Sequence, residues 1–184
     1  MPVCGSPVLP PVAFNYCAPD IRPGQITKIL ITRDTSADVM TSASDLAEWN
    51  TRINASSVIP GSGAAPIREL TVVASLAAPD VTEQDISGGR KYRGKPEHKI
   101  AYKIDELSLG NINDLMHDYQ VAGAATVKMW FVSGGLLFGG NTGISASVSS
   151  HLVIPEDINA VSTIEGEFSF KDYFPDGVIV SPFG

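Results

Sequence analysis

Between Gly143 and Ile154 the chain alternates with a period of two. Ser145, Ser147, Ser149 and His151 fall on one side of an extended segment, and Ile144, Ala146, Val148 and Leu152 fall on the other. Successive side chains of a β-strand point to opposite faces, so this segment reads as a strand that buries one side and wets the other. The same period recurs upstream. His98, Ile100, Tyr102 and Ile104 alternate with Lys99, Ala101 and Lys103, and Leu70, Val72, Ala74 and Leu76 share one face of residues 67–78. Residues 25–32 are rich in β-branched side chains, and further strands are expected at 126–132, 136–139 and 160–170, with Gly134-Gly135 as a tight turn. The chain's 17 Gly and 13 Pro are spread along its 184 residues, as many short strands separated by turns require. A 43% apolar content with 18% charged residues suits one hydrophobic core and is far from the signature of disorder. The expected fold is mainly β with one or two short helices: a β-sandwich or barrel with a flanking helix, a long polar loop and an extended N-terminal arm.

Two helices interrupt the strands. Ser42 and Asp45 have capping-box spacing ahead of Leu46, Trp49 and Ile53, which recur at helical intervals and make Trp49 a core anchor. Asn111 is placed as an N-cap, with Ile112, Leu115, Met116 and Tyr119 forming one stripe and Gly123 ending the helix. Residues 1–24 carry Pro2, Pro7, Pro10, Pro11, Pro19 and Pro23 and read as an extended arm. Its Val8, Leu9, Val12, Phe14 and Tyr16 suit packing on its own domain or on a neighbouring copy. Residues 25–184 form a single β-rich domain interrupted by a polar excursion at 79–96. That excursion is acidic first (Asp80, Glu83, Asp85) and then basic (Arg90, Lys91, Arg93, Lys95), with Gly88-Gly89 between. A hairpin is expected there. Its segregated charge makes the four basic residues candidate intersubunit contacts, complementary to an acidic surface on another subunit.

The formal net charge of −7 opposes tight binding of phosphate over most of the surface, while suiting a conduit through which DNA slides without sticking. No stretch approaches the roughly 18 to 20 apolar residues of a membrane-spanning helix, and the first residues lack the pattern of a signal peptide. Cys4 and Cys17 are no disulfide framework, and free thiols are expected. Nucleophile-elbow, zinc-protease, phosphate-loop and Cys-x-x-Cys motifs are all missing from the sequence, so no catalytic, cofactor-binding or metal-binding residue set is expected and the chain does not read as an enzyme. His98, His117 and His151 fall in three different settings, and His117-Asp118 neighbours on a helix would not face each other. Glu165 and Glu167 share one strand face across Gly166, a spacing close enough to consider glycoside hydrolysis. One strand offers a substrate no opposing wall, so the pair is expected to be solvated or to face a lumen.

Taken in order, the strand at 26–32, the polar excursion, the strand and helix at 98–104 and 111–120, and the closing strands ending Glu167-Phe168-Ser169-Phe170 resemble the tail-tube proteins of tailed bacteriophages. The resemblance covers about the last 110 residues and the first strand, and rests on element order. It implies a subunit of a six-membered ring, with rings stacked into a tube that passes DNA, other virion proteins as partners and the virion as location. The longer Pro-rich arm and the early Trp49 helix depart from a minimal tube subunit. Alternatives from other classes are a capsid-decoration or connector protein and a carbohydrate-binding β-sandwich, the latter requiring exposed aromatic side chains.

Overall fold

The computed structural model describes residues 24–33, 39–55, 64–105, 127–157, 159–171 and 177–183. The first 23 residues, both cysteines, the segment expected as a helix at 111–120 and His117 lie outside them. Among the described residues there are ten strands and one helix: β1 (Ile26–Thr32), α1 (Leu46–Ile53), β2 (Arg68–Leu76), β3 (Glu83–Ile86), β4 (Arg90–Arg93), β5 (Glu97–Ile104), β6 (Val127–Ser133), β7 (Leu136–Phe138), β8 (Ile144–Val153), β9 (Thr163–Lys171) and β10 (Ile179–Val180). Strands pair in the order β1-β2-β5-β9-β8-β6, and β6 returns to pair with β1. Every pairing is antiparallel. The fold is therefore a closed six-stranded barrel. Closure removes the open sheet edges that a sandwich of the same strands would have to cover.

The period-two pattern sets the barrel's interior. Ile100, Tyr102 and Ile104 of β5, Leu70, Val72 and Ala74 of β2, Ile144 and Ala146 of β8, and Ile164, Phe168 and Phe170 of β9 point into one core with Ile29, Ile31, Met129 and Phe131. On β8 the inward set continues through Ser150, while Leu152, expected inside, is 37% exposed because it reaches the barrel's rim. β1 departs from strict alternation: Leu30, on its outer side, is as fully buried as Ile29 and Ile31. A second core explains it. Leu30, Trp130, Val132 and Leu137 on the outer wall meet Trp49, Val39, Met40 and Ile67, so α1 and its flanking loops cover that side of the barrel. Trp49 and Trp130 meet edge to face, with ring centroids 5.3 Å apart, and both indoles donate to backbone carbonyls, of Ala43 (2.8 Å) and Gly140 (2.7 Å) respectively.

The helix begins one turn later than the Ser42 capping box implies. Asp45 is the N-cap, accepting from the Ala47 amide at 2.9 Å. Glu48 takes the acidic third helical position and accepts from the amides of Thr41 (2.8 Å) and Ser42 (2.9 Å). The carboxylate reaches further than a hydroxyl would and ties down the incoming loop as well as the first turn. Arg52, on the same helix, is only 2% exposed. Its guanidinium donates to Ala65 O from Nε (3.1 Å) and Nη2 (2.8 Å), and to Val39 O from Nη1. One side chain thus holds the loops on both sides of α1.

β6 and β7 form a hairpin through Gly134 (φ 56°) and Gly135 (φ 75°), a tight turn as expected, and the two positive φ values give it type I′ character. β10 extends the sheet beyond β7. The polar excursion is a second hairpin, β3–β4, forming its own two-stranded sheet between β2 and β5.

Candidate assembly surface

Glu165 and Glu167 lie on the outer wall of the barrel, because their β9 neighbours Ile164, Phe168 and Phe170 fill the interior. They do not form a bare acidic row. Pairing of β9 with β5 sets Glu165 opposite Lys103 and Lys171 opposite Glu97, and those pairs are joined by ion pairs of 2.9 Å and 3.1 Å. Glu167 reaches diagonally to Lys99 at 3.8 Å. Three carboxylates meet three ammonium groups, so this patch is neutral at pH 7. Beside it the β8 side chains of Ser147, Ser149 and His151 stand opposite Ser169, Glu167 and Glu165. The outer face of β5, β9 and β8 is a polar ladder whose charges are already matched.

The Lys103 ammonium holds the Glu165 carboxyl below its ordinary value; partial desolvation opposes this, and the Thr163 hydroxyl at 3.2 Å adds to it. A depressed carboxyl supports the folded state above the ordinary carboxylate range and loses that contribution as pH falls through it. Exposed pairs of this kind individually contribute little. Their effect is on what the surface attracts.

Behind the ladder, Tyr102 runs along the inner side of the barrel wall across three strands. From β5 its ring passes over Gly166 of β9, its cross-strand partner, and its hydroxyl meets Ser150 Oγ and the Ser149 carbonyl (3.3 Å) of β8. Three strands are joined by one phenol. Burial pushes the phenol up from its ordinary 10.0, with the Ser150 hydrogen bond pulling weakly the other way. A raised phenol leaves stability intact below the unfolded value and erodes it as pH climbs above that value, since the unfolded chain then sheds its proton first. Tyr102→Phe should therefore flatten the loss of stability above about pH 10, measured by urea titration, while lowering stability at pH 7 by about 1 kcal/mol. An alkaline limb of unchanged slope would show that another group carries it.

The four basic residues of the excursion divide by geometry. In the β3–β4 register Glu83 stands opposite Arg93 and Asp85 opposite Lys91, while Gln84 faces Tyr92 and Ile86 faces Arg90. Alternation therefore gives the hairpin one face of Glu83, Asp85, Lys91 and Arg93 and another of Gln84, Ile86, Arg90 and Tyr92. The first is internally paired: Glu83 lies 3.8 Å from Lys91 and 4.0 Å from Arg93. The second exposes Ile86 (44%) and Tyr92 (59%) beside the Arg90 cation. Lys95 follows β4 and is exposed.

Periodicity could not show that Lys99, Lys103 and Lys171 match the glutamates, because strand pairing joins residues far apart in sequence. Gly166 gave one overlooked signal, a glycine interrupting an otherwise regular strand. Among the described residues no group of three His, Cys, Asp or Glu side chains is placed to hold a metal ion. No protein-family model, curated protein or solved structure matches the chain.

Proposed function

We propose that this chain is a structural subunit that assembles with copies of itself into stacked rings, forming the tail tube of a bacteriophage particle. One observation carries the reading. The β3–β4 hairpin stands apart from the barrel's sheet with none of its eight strand residues, four in each strand, buried. A two-stranded hairpin is at best marginally stable alone in water, and an exposed Tyr and Ile on one face suit a surface that becomes covered in an assembly.

The polar ladder is compatible with a DNA-passing wall. Matched Lys and Glu side chains neither release counterions to gain phosphate contacts nor present a continuous field against the duplex. Sugar recognition has less support, since Trp49 and Trp130 are fully buried and, among the described residues, Tyr92 is the exposed aromatic side chain, with no second ring beside it to build a stacking platform.

Negative-stain imaging of the purified chain over a concentration series tests the proposal. Six-fold rings stacked into tubes are expected. Discrete particles that bind preformed capsid shells and never stack would replace the tube with decoration.

A further inference from the structure

Antiparallel pairing fixes the two ends of the barrel. Leu76, Glu97 and Lys171 lie at one end, where β2 gives way to the hairpin and the hairpin to β5. Ile104, Ile164 and Leu152 are cross-strand neighbours near the other, where β8 turns back into β9. The nine residues of β9 separate these ends by roughly 25–30 Å. The hairpin and the β8–β9 turn therefore project from opposite ends of one subunit.

Their surfaces are complementary. The hairpin's open face carries Ile86, Tyr92 and Arg90, an apolar pair beside a cation. The β8–β9 turn exposes Ile154 (71%) and Val161 (68%), with Leu152 at 37%, beside the exposed acidic Glu156 and Asp157. Asp157 Oδ1 accepts from the Asn159 amide at 2.9 Å, which shapes the turn and leaves Glu156 as the carboxylate to reverse in a test.

We infer that the β3–β4 hairpin of one copy docks on the β8–β9 turn of the next, with Tyr92 and Ile86 covering Ile154 and Val161 and Arg90 meeting Glu156. The two surfaces differ and lie at opposite ends, so the contact is heterologous and propagates along an axis without closing on itself. Apolar area supplies affinity, and the charge pair fixes register and speeds encounter. The inference rests on the self-assembly reading and specifies which surfaces carry the axial contact.

Charge exchange tests it. Arg90→Glu and Glu156→Arg should each raise the concentration needed for axial association about tenfold, and a mixture of the two single variants should associate near the parent's concentration by alternating, because every junction between unlike variants pairs opposite charges and every junction between like variants pairs the same charge. The double variant should return to within about threefold of the parent chain, with the parent's salt sensitivity. Both changes lie on exposed side chains, and circular dichroism checks that the barrel is retained. A zero-length carboxyl-to-amine cross-linker applied to mixed ¹⁴N- and ¹⁵N-labelled chains carrying Arg90→Lys, which puts an amine on the open face, provides a second test. Isotopically mixed peptides joining position 90 to Glu156 are expected. Stacks that form normally in both single variants and yield no such peptides would overturn this contact while leaving self-assembly standing. A parent chain that never associates would overturn both.

Discussion

Replacing Gly166 with Ala should lower the stability of the folded chain by about 3 kcal/mol, a drop in melting temperature of roughly 6–12 °C for a chain of this size. A Cβ at this position would fall far inside contact distance of the Ser149 carbonyl oxygen, 2.6 Å from the Tyr102 hydroxyl and 2.8 Å from the ring carbon that bears it. The first of these is backbone in the adjacent strand. It cannot swing aside as a flexible side chain would, so relief requires β8 and β9 to separate and Tyr102 to give way as well. Moving Tyr102 breaks the hydroxyl's bonds to β8 inside a barrel where that residue is only 3% exposed. Combining Gly166→Ala with Tyr102→Ala removes the ring contacts but keeps the carbonyl clash, so the pair should stay well below wild type. Thermal unfolding followed by circular dichroism measures both variants. A melting temperature unchanged within about 2 °C in the single variant would show that the strands do not approach this closely.

Arg52→Met should cost about 3 kcal/mol, with Arg52→Lys recovering less than half of that. The guanidinium gathers carbonyls from residues 39 and 65, which belong to different loops, and the helix carbonyl of Arg52 itself accepts from the Ile67 amide at 3.1 Å. Methionine fills the volume but leaves those carbonyls without their donor in a buried setting. Lysine keeps the charge but lacks the planar fork that addresses two loops at once. Urea denaturation should show the midpoint falling while the slope stays constant, as expected when a local clamp is lost from a cooperative unit. A loss below about 0.5 kcal/mol for Arg52→Met would contradict the clamp.

Much of this architecture was legible because most barrel strands, β2, β5, β8 and β9 among them, bury one side and wet the other. The alternation in β2 and β5 places the correct residues inside, and Trp49 is recognisable as an anchor from helical spacing alone. What stayed open or was missed depends on contacts distant in sequence. A sandwich and a barrel demand the same alternation, and the difference lies in β1 meeting β6, strands from opposite halves of the chain. A strand period alone puts Leu30 on the wet side of β1, because the α1 layer that covers it is invisible to that period. Leu152 follows the pattern but sits where the strand runs out of core to face. Ser42 and Asp45 both make acceptable helix caps, and Glu48 decides between them.

The candidate surfaces divide in the same way. Charge segregation in the excursion is sufficient to expect a hairpin with a contact role, yet the structure changes which residue leads. Lys91 and Arg93 belong to the face paired with Glu83, while Arg90 shares the open face with Tyr92. Glu165 and Glu167 do lie together on one strand face, but their lysine partners come from β5 and convert an acidic row into a neutral ladder.

Native mass measurement of the purified full chain, from low micromolar to near-millimolar concentration, addresses self-assembly most directly. Species at six-fold multiples of the 19.5 kDa chain mass are expected, growing by whole rings as concentration rises. A monomer of 19.5 kDa persisting across the entire range would contradict self-assembly.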